Sequence, residues 1–225
     1  MSSRYTSPDF AAAGLITIDT QRDVLDGGLL EIAGTSTALE PMRDLVLAFR
    51  AAARPIVHIV RIYRSDGSNV DLCRRELVEH GARPLAPGAL GTQLALDLLP
   101  DPEVTLDDEL LLAGGVQRLG AEEAVIYKPR WGAFYQTSLE SHLTELKVNT
   151  LVFCGCNYPN CPRTSIYEAS ERDFRIVLAL DAVSGLYERA EAELADIGVQ
   201  LLSTRQVLAY LGAAPAPRTA GAPLA

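Results

Sequence analysis

Short apolar runs separated by amphipathic stretches recur along this chain, from GLITID at residues 14–19 to VQLL near the C-terminal end. An apolar run of strand length, bounded by turn residues, is what a strand buried on both faces requires, since neither side of it meets water. Residues 14–19 are therefore predicted as the first strand, and Leu39, Met42, Val46 and Phe49 then recur at helical spacing. The second strand falls at 55–63, the third at 123–127 and the fourth at 150–154. Thr137 and Glu140 have the spacing of a capping box that would start a helix bearing Leu139, Leu143 and Leu146. A helix over 162–172, the strand IVLALDA, an Ala- and Glu-rich helix, the strand VQLL and a helix over 204–211 complete the pattern. Between 69 and 107, glycines and prolines interrupt the periodicity, and one short helix is expected there.

Strands alternating with helices predict an α/β architecture: a three-layer, Rossmann-like fold with a parallel sheet of about six strands and helices on both faces. A chain of 225 residues that is 48% hydrophobic can bury one substantial core, so a single domain is expected over 1–211. Residues 212–225, ending in AAPAPRTAGAPLA, offer little to bury and are expected to be a disordered tail.

A formal net charge of −9, from 29 acidic against 20 basic residues, argues against nucleic acid or an anionic membrane as partner and in favour of a small molecule. No apolar run reaches membrane-spanning length, and MSSRYTSPDF lacks the basic and apolar regions of a signal peptide, so a soluble, cytoplasmic protein is expected. The four cysteines are too sparse for a disulfide framework and read as reduced thiols.

In an open α/β sheet, ligands bind outside the carboxyl ends of the strands. Asp19 ends the first predicted strand, Lys128 follows the third, and Cys161 lies just past the fourth, before a proline that suits a first helical turn. A thiol at a helix N-terminus is expected to have a lowered pKa and to be nucleophilic, with backbone N–H groups at hand for an oxyanion. Each residue also has an ordinary reading: Cys161 as a small buried hydrophobe, Asp19 as a turn former, Lys128 as a solvated surface lysine. Cys73, Cys154 and Cys156 keep the ordinary reading. The CxCxxxxC spacing of the last three cysteines lacks the second half-site that zinc needs, so no metal is expected. His58 in a strand and His142 on a helix read as structural, and His80 falls in a loop. With no histidine at a strand end, Asp19 is the candidate base for the thiol.

Three segments in order, LITIDTQRD, YKPRWGAFYQTSL and GCNYPNCPRTSIYEASERDFRIVLALDAV, resemble the isochorismatase-like cysteine hydrolases, a family that includes N-carbamoylsarcosine amidase, ureidoacrylate amidohydrolase, biuret hydrolase and nicotinamidase. The resemblance implies that Asp19 is the base, Lys128 stabilises anionic states and Cys161 is the nucleophile. It also implies an oxyanion hole from the backbone N–H groups of Asn157 and Cys161, with a cis peptide between Cys156 and Asn157, and assembly as a homodimer or homotetramer. The sequence departs from the family at Asn157, Tyr158 and Pro162, and IYRSDGSN carries none of the histidines with which nicotinamidases bind metal. No cofactor is implied.

The expected reaction is hydrolysis of an amide or ureido C–N bond of a small molecule through a thioester. Trp131, Phe134 and Tyr158 are candidates to wall the pocket, Gln21 and Asn157 to offer polar contacts, and Arg61 and Arg64 to meet a carboxylate or simply be solvated. Isochorismate-type vinyl-ether hydrolysis by the Asp and Lys alone, and a non-catalytic binding protein on the same fold, are the alternatives. A redox Rossmann protein is disfavoured because DTQRDVLDGG is not a GxGxxG loop.

Overall fold

The computed structural model describes residues 3–212, so the predicted tail lies, apart from Gly212, outside the described residues. Seven strands form one sheet: β1 (Ala13–Ile18), β2 (Ile56–Val60), β3 (Val116–Arg118), β4 (Glu123–Tyr127), β5 (Thr150–Gly155), β6 (Arg175–Val183) and β7 (Gln200–Leu202). Their spatial order is β3-β4-β2-β1-β5-β6-β7, with every pairing parallel except β3 against β4. The sheet thus has one strand more than expected. β3 is a short edge strand, partly or fully exposed and without an apolar run, so nothing in its three residues marks it.

The helices are α1 (Thr35–Ala51), α2 (Arg75–Glu79), α3 (Asp108–Leu112), α4 (Leu139–Glu145), α5 (Cys161–Ser170), α6 (Glu188–Asp196) and α7 (Thr204–Leu211). They cover both faces of the sheet. Successive side chains of β1 point to opposite sides, so Leu15 joins Met42 and Phe49 of α1 and Val207 of α7, while Ile16 and Ile18 join Leu143 of α4, Ile166 of α5 and Leu194 of α6. Each fully buried aliphatic side chain contributes roughly 1.5–3 kcal/mol. This two-sided burial explains why the strands read as continuous apolar runs.

The expected capping box at Thr137 and Glu140 does not form. Ser138 precedes α4 without a side-chain cap, Thr137 donates to Ala133 O (2.6 Å), and Glu140 pairs with Arg172 (2.8 Å). The arginine's charge draws the glutamate away from the helix end. A capping box does form at Ser203 and Gln206, at the start of α7.

The region 69–107 holds α2 and three single turns of 3-10 helix, Leu72–Arg74, Leu90–Thr92 and Leu96–Leu98. No helix of the described chain is long and apolar enough to cross a membrane. A polar chain runs through the centre of the sheet. Thr17 meets His58 Nδ1 at 2.8 Å, His58 Nε2 meets Glu123 Oε1 at 2.9 Å, and Arg50 clasps Glu123 at 2.6 and 2.7 Å. His58 is a structural histidine, as its place within an apolar strand suggested.

Candidate functional site

Because β1, β4 and β5 run parallel, their carboxyl ends open on one rim of the sheet. Hydrogen bonding continues just past them: Asp19 N–H donates to Ile59 O (2.9 Å), Lys128 N–H to Val60 O (3.0 Å) and Cys156 N–H to Ile18 O (2.9 Å). The residues that follow the strands are therefore held in register. Asp19 takes a left-handed backbone (φ 50°), a conformation that aspartate adopts more readily than most residues, and this turn directs the chain out of the sheet. Gly155, at the end of β5, has φ 121°, and a Cβ there would stand 2.2 Å from Ile18 O, so only glycine lets the two strand ends approach this closely.

The three residues singled out from the sequence come together. Lys128 Nζ lies 2.8 Å from Asp19 Oδ2 and donates to Cys161 Sγ at 3.3 Å and to Arg130 O at 3.2 Å. Lys128 is wholly buried, which overturns its ordinary reading as a solvated lysine. Burial alone would pull its pKa down, but the Asp19 carboxylate beside it, with the nearby Cys161 sulfur, outweighs that and holds the ammonium above its ordinary value. Asp19 is buried as well, and its second oxygen, Oδ1, accepts no hydrogen bond among the described residues.

Cys161 is the first residue of α5, and Asn160, before it, provides no side-chain cap. The expected lowering of the thiol pKa does not occur. Burial, followed by the neighbouring Asp19 carboxylate, pushes it up to about 12, against the opposing pull of Lys128. Desolvation and a like charge here outweigh the helix dipole, which contributes only about 0.3–1 kcal/mol at an ordinary site. The resting sulfur is a neutral thiol beside an ion pair.

Among the described residues, neither the Asn157 nor the Cys161 N–H donates to a protein acceptor. The peptide bonds of the described chain are all trans, so the cis peptide expected between Cys156 and Asn157 is absent. Cys156 N–H and Tyr158 N–H are anchored on Ile18 O and Ser184 O, and the intervening bonds keep the form favoured by about 3 kcal/mol.

The residues expected to touch substrate divide. The Gln21 amide is fully engaged, donating to Arg61 O (2.9 Å) and Thr92 O (2.6 Å) and accepting from Arg61 N–H (2.8 Å), so it braces the scaffold. Phe134 is buried between Phe174 and the Arg172 guanidinium, and Tyr158 is wholly buried edge-on to Tyr187. Trp131 borders a cavity. Arg61 is buried, pairing with Asp71 (3.3 Å) and stacking on Tyr63, while Arg64 is exposed and donates to Leu112 O.

That cavity, of about 680 Å³, is walled by Val70, Asp71, Leu72, Cys73 and Arg75, by Arg130, Trp131, Gly132 and Tyr135 after β4, and by Thr164 and Glu168 of α5. The reactive groups do not form its wall, but they adjoin it. Thr164 is one turn along the helix that Cys161 begins, and Arg130 O accepts from the Lys128 ammonium.

Other contacts had no signal in the sequence. Cys156, read as a simple buried residue, donates its thiol to Asp19 O (3.2 Å) and thereby pins the aspartate's main chain, while burial first and the nearby Asp19 charge next push its pKa well above the ordinary value. Ser165 donates to Cys161 O (2.7 Å) and accepts from Ala133 N–H (3.0 Å), tying α5 to the loop that follows Lys128. Among the described residues, no three His, Cys, Asp or Glu side chains group as metal ligands would.

Compared with known proteins, residues 13–206 match a family model described as "Isochorismatase domain". The chain is 25% identical over 173 residues to a protein of Arabidopsis thaliana named a probable inactive nicotinamidase, which covers 76% of this chain and 79% of that protein. It is 28% identical over 191 residues to the ureidoacrylate amidohydrolase RutB of Methylorubrum extorquens, covering 76% and 69% respectively. Among solved structures, an isochorismatase family protein from Desulfovibrio vulgaris superposes with a TM-score of 0.75 at 26% identity, over 89% of this chain and 98% of that one.

Proposed function

Because the chain belongs to the isochorismatase family, we propose that it is a cysteine-dependent hydrolase that cleaves the C–N bond of a small amide or ureido compound through a thioester. The observation that carries this reading is the unbroken contact from Asp19 through Lys128 to Cys161, at 2.8 and 3.3 Å, on the rim where the fold binds ligands. The similarity to an amidohydrolase supports the same bond class.

In this mechanism the Cys161 thiol is neutral until substrate arrives. As Sγ bonds to the carbonyl carbon, its proton passes to Asp19, and the oxyanion is held by the N–H groups of Asn157 and Cys161. Lys128 balances the negative charge as it moves from carboxylate to substrate. The tetrahedral intermediate collapses, the C–N bond breaks, and the proton on Asp19 leaves with the amine or ammonia. Water then attacks the thioester, giving its proton to Asp19 and its oxygen to the acyl carbon. When the C–S bond breaks, that proton returns to the sulfur and the resting thiol is restored. A high thiol pKa suits this sequence, because a free thiolate beside Asp19 would place two anions in one buried site.

The similarity to a probable inactive nicotinamidase favours a second reading, a binding protein that has lost turnover. Retention of three groups in reactive contact supports the enzyme instead. The test is ammonia release from a panel of small amides and ureido acids, with mass detection of an acyl adduct on Cys161. Cys161→Ser is expected to lose about 10³-fold or more in kcat. Full turnover by that variant would remove thiol catalysis and leave vinyl-ether chemistry by Asp19 and Lys128, and the absence of turnover by the native chain on every compound would favour the binding protein.

A further inference from the structure

The loop that presents the Asn157 and Cys161 N–H groups is held from a neighbouring strand end. Ser184, directly after β6, donates its N–H to Gly155 O (3.2 Å) and accepts the Tyr158 N–H at 2.8 Å, so it brackets residues 155–158 from both ends. Gly185 continues the support: its φ is 72°, and a Cβ there would come within 3.2 Å of Pro159 Cδ. On its other side the loop is tied to the end of β1. Cys156 donates its N–H to Ile18 O (2.9 Å) and its thiol to Asp19 O (3.2 Å). Both anchors meet one side chain. Thr35, the first residue of α1, is wholly buried, and its hydroxyl donates to Ser184 Oγ at 3.0 Å, across 149 positions of sequence. The same side chain meets the Cys156 thiol. A buried hydroxyl is costly unless it is paired, so this contact holds the three segments together.

We propose that Thr35 is a positioning residue for the reaction: through Ser184 it fixes the loop that presents the Asn157 and Cys161 N–H groups, and through Cys156 it fixes the main chain of Asp19. The kinetic consequence rests on the hydrolase reading, whereas the anchoring does not require turnover. Thr35 is not part of the cavity wall and acts only through these neighbours. Oxyanion donors stabilise a developing charge only when aimed at it, and a base must stand within hydrogen-bond reach of its proton, so a small displacement of either lowers the rate more than the affinity. A hydroxyl fastened to the start of a 17-residue helix keeps donors and base in one fixed relation.

The test compares Thr35→Val, which keeps the branched shape and loses the hydroxyl, with Thr35→Ser, which does the opposite, and with Ser184→Ala. Amide hydrogen exchange is read by NMR on the protein without substrate, with Ile59 and Val125 in β2 and β4 as internal controls. In Thr35→Val and Ser184→Ala, the Cys156 and Tyr158 amides are expected to exchange about tenfold faster while the controls do not change. On a compound that the native chain turns over, kcat should fall about tenfold with KM nearly constant. Thr35→Ser should recover most of both. Should Thr35→Val fail to fold, Ser184→Ala carries the same expectation. Unchanged exchange at Cys156 and Tyr158, acceleration equal to that of the controls, equal losses in Thr35→Ser and Thr35→Val, or a rise in KM with kcat intact would each overturn the proposal. Faster local exchange in a native chain that turns over no compound would sustain the anchoring and defeat the hydrolase reading, whereas native turnover with exchange unaltered in the variants would do the reverse.

Discussion

Lys128 Nζ and Asp19 Oδ2 stand 2.8 Å apart, with the lysine cut off from solvent altogether. An ion pair buried this deeply offsets the cost of desolvating each charge only while both partners remain. Lys128→Met should therefore abolish activity and also destabilise the fold by about 3–5 kcal/mol, since it strands a buried carboxylate. Urea unfolding would measure this, and a variant as stable as the native chain would show that the pair is not buried in solution.

The thiol pKa of about 12 makes a chemical prediction. Alkylation of Cys161 by iodoacetamide, followed by peptide mass analysis so that exposed Cys73 is scored separately, should be slow at pH 7 and still rising at pH 10. Asp19→Asn removes the charge that opposes the thiolate and leaves Lys128 to favour it. That variant should alkylate faster at pH 8 while its turnover falls by about 10²–10⁴-fold, the usual contribution of a general base. Slower alkylation by the variant would contradict the arrangement.

Glu123 provides a stability test away from the site. Although burial works against its charge, hydrogen bonds and charges from Arg50 and His58 hold its carboxyl at about 2, below the ordinary 4.5. A depressed carboxyl contributes stability that is fully present above its unfolded value and is lost as the pH falls through the folded one. The native chain should therefore lose Tm between about pH 4.5 and 2, and Glu123→Gln, less stable near neutrality, should be flatter across that window. Parallel curves for the two proteins would exclude this role.

Gly155→Ala should be damaging out of proportion to its single methyl. The added Cβ meets Ile18 O at 2.2 Å, on a backbone whose φ already disfavours it, so β1 and β5 must separate just where Asp19 and Cys156 emerge. A loss of about 2 kcal/mol or more is expected, read as a lower urea midpoint, together with loss of activity.

The layered α/β fold was legible in the sequence because burial on both faces writes itself into a strand such as GLITI and amphipathic periodicity into α1. β3 was not, since an exposed edge strand of three residues has no apolar run to betray it. At the candidate site, Asp19, Lys128 and Cys161 could be singled out because each follows a strand, and parallel strands share one carboxyl rim. Gln21, Phe134 and Tyr158, expected as pocket contacts, are buried and do not line the cavity beside the site, because neighbourhood in sequence cannot tell a side chain facing a cavity from one packed beneath it.

By itself, then, the sequence determined the six strands with apolar runs, that these run parallel, and which polar residues stand at their ends, all of which follow from local patterns of burial. Only the tertiary structure decided the charge state of the site. Whether the Cys161 sulfur rests as thiol or thiolate depends on how far water is excluded from it and on its closeness to Asp19, 142 positions away in the chain. Desolvation and long-range pairing belong to no segment of the sequence, which is why a helix start that promised an anion holds a neutral thiol.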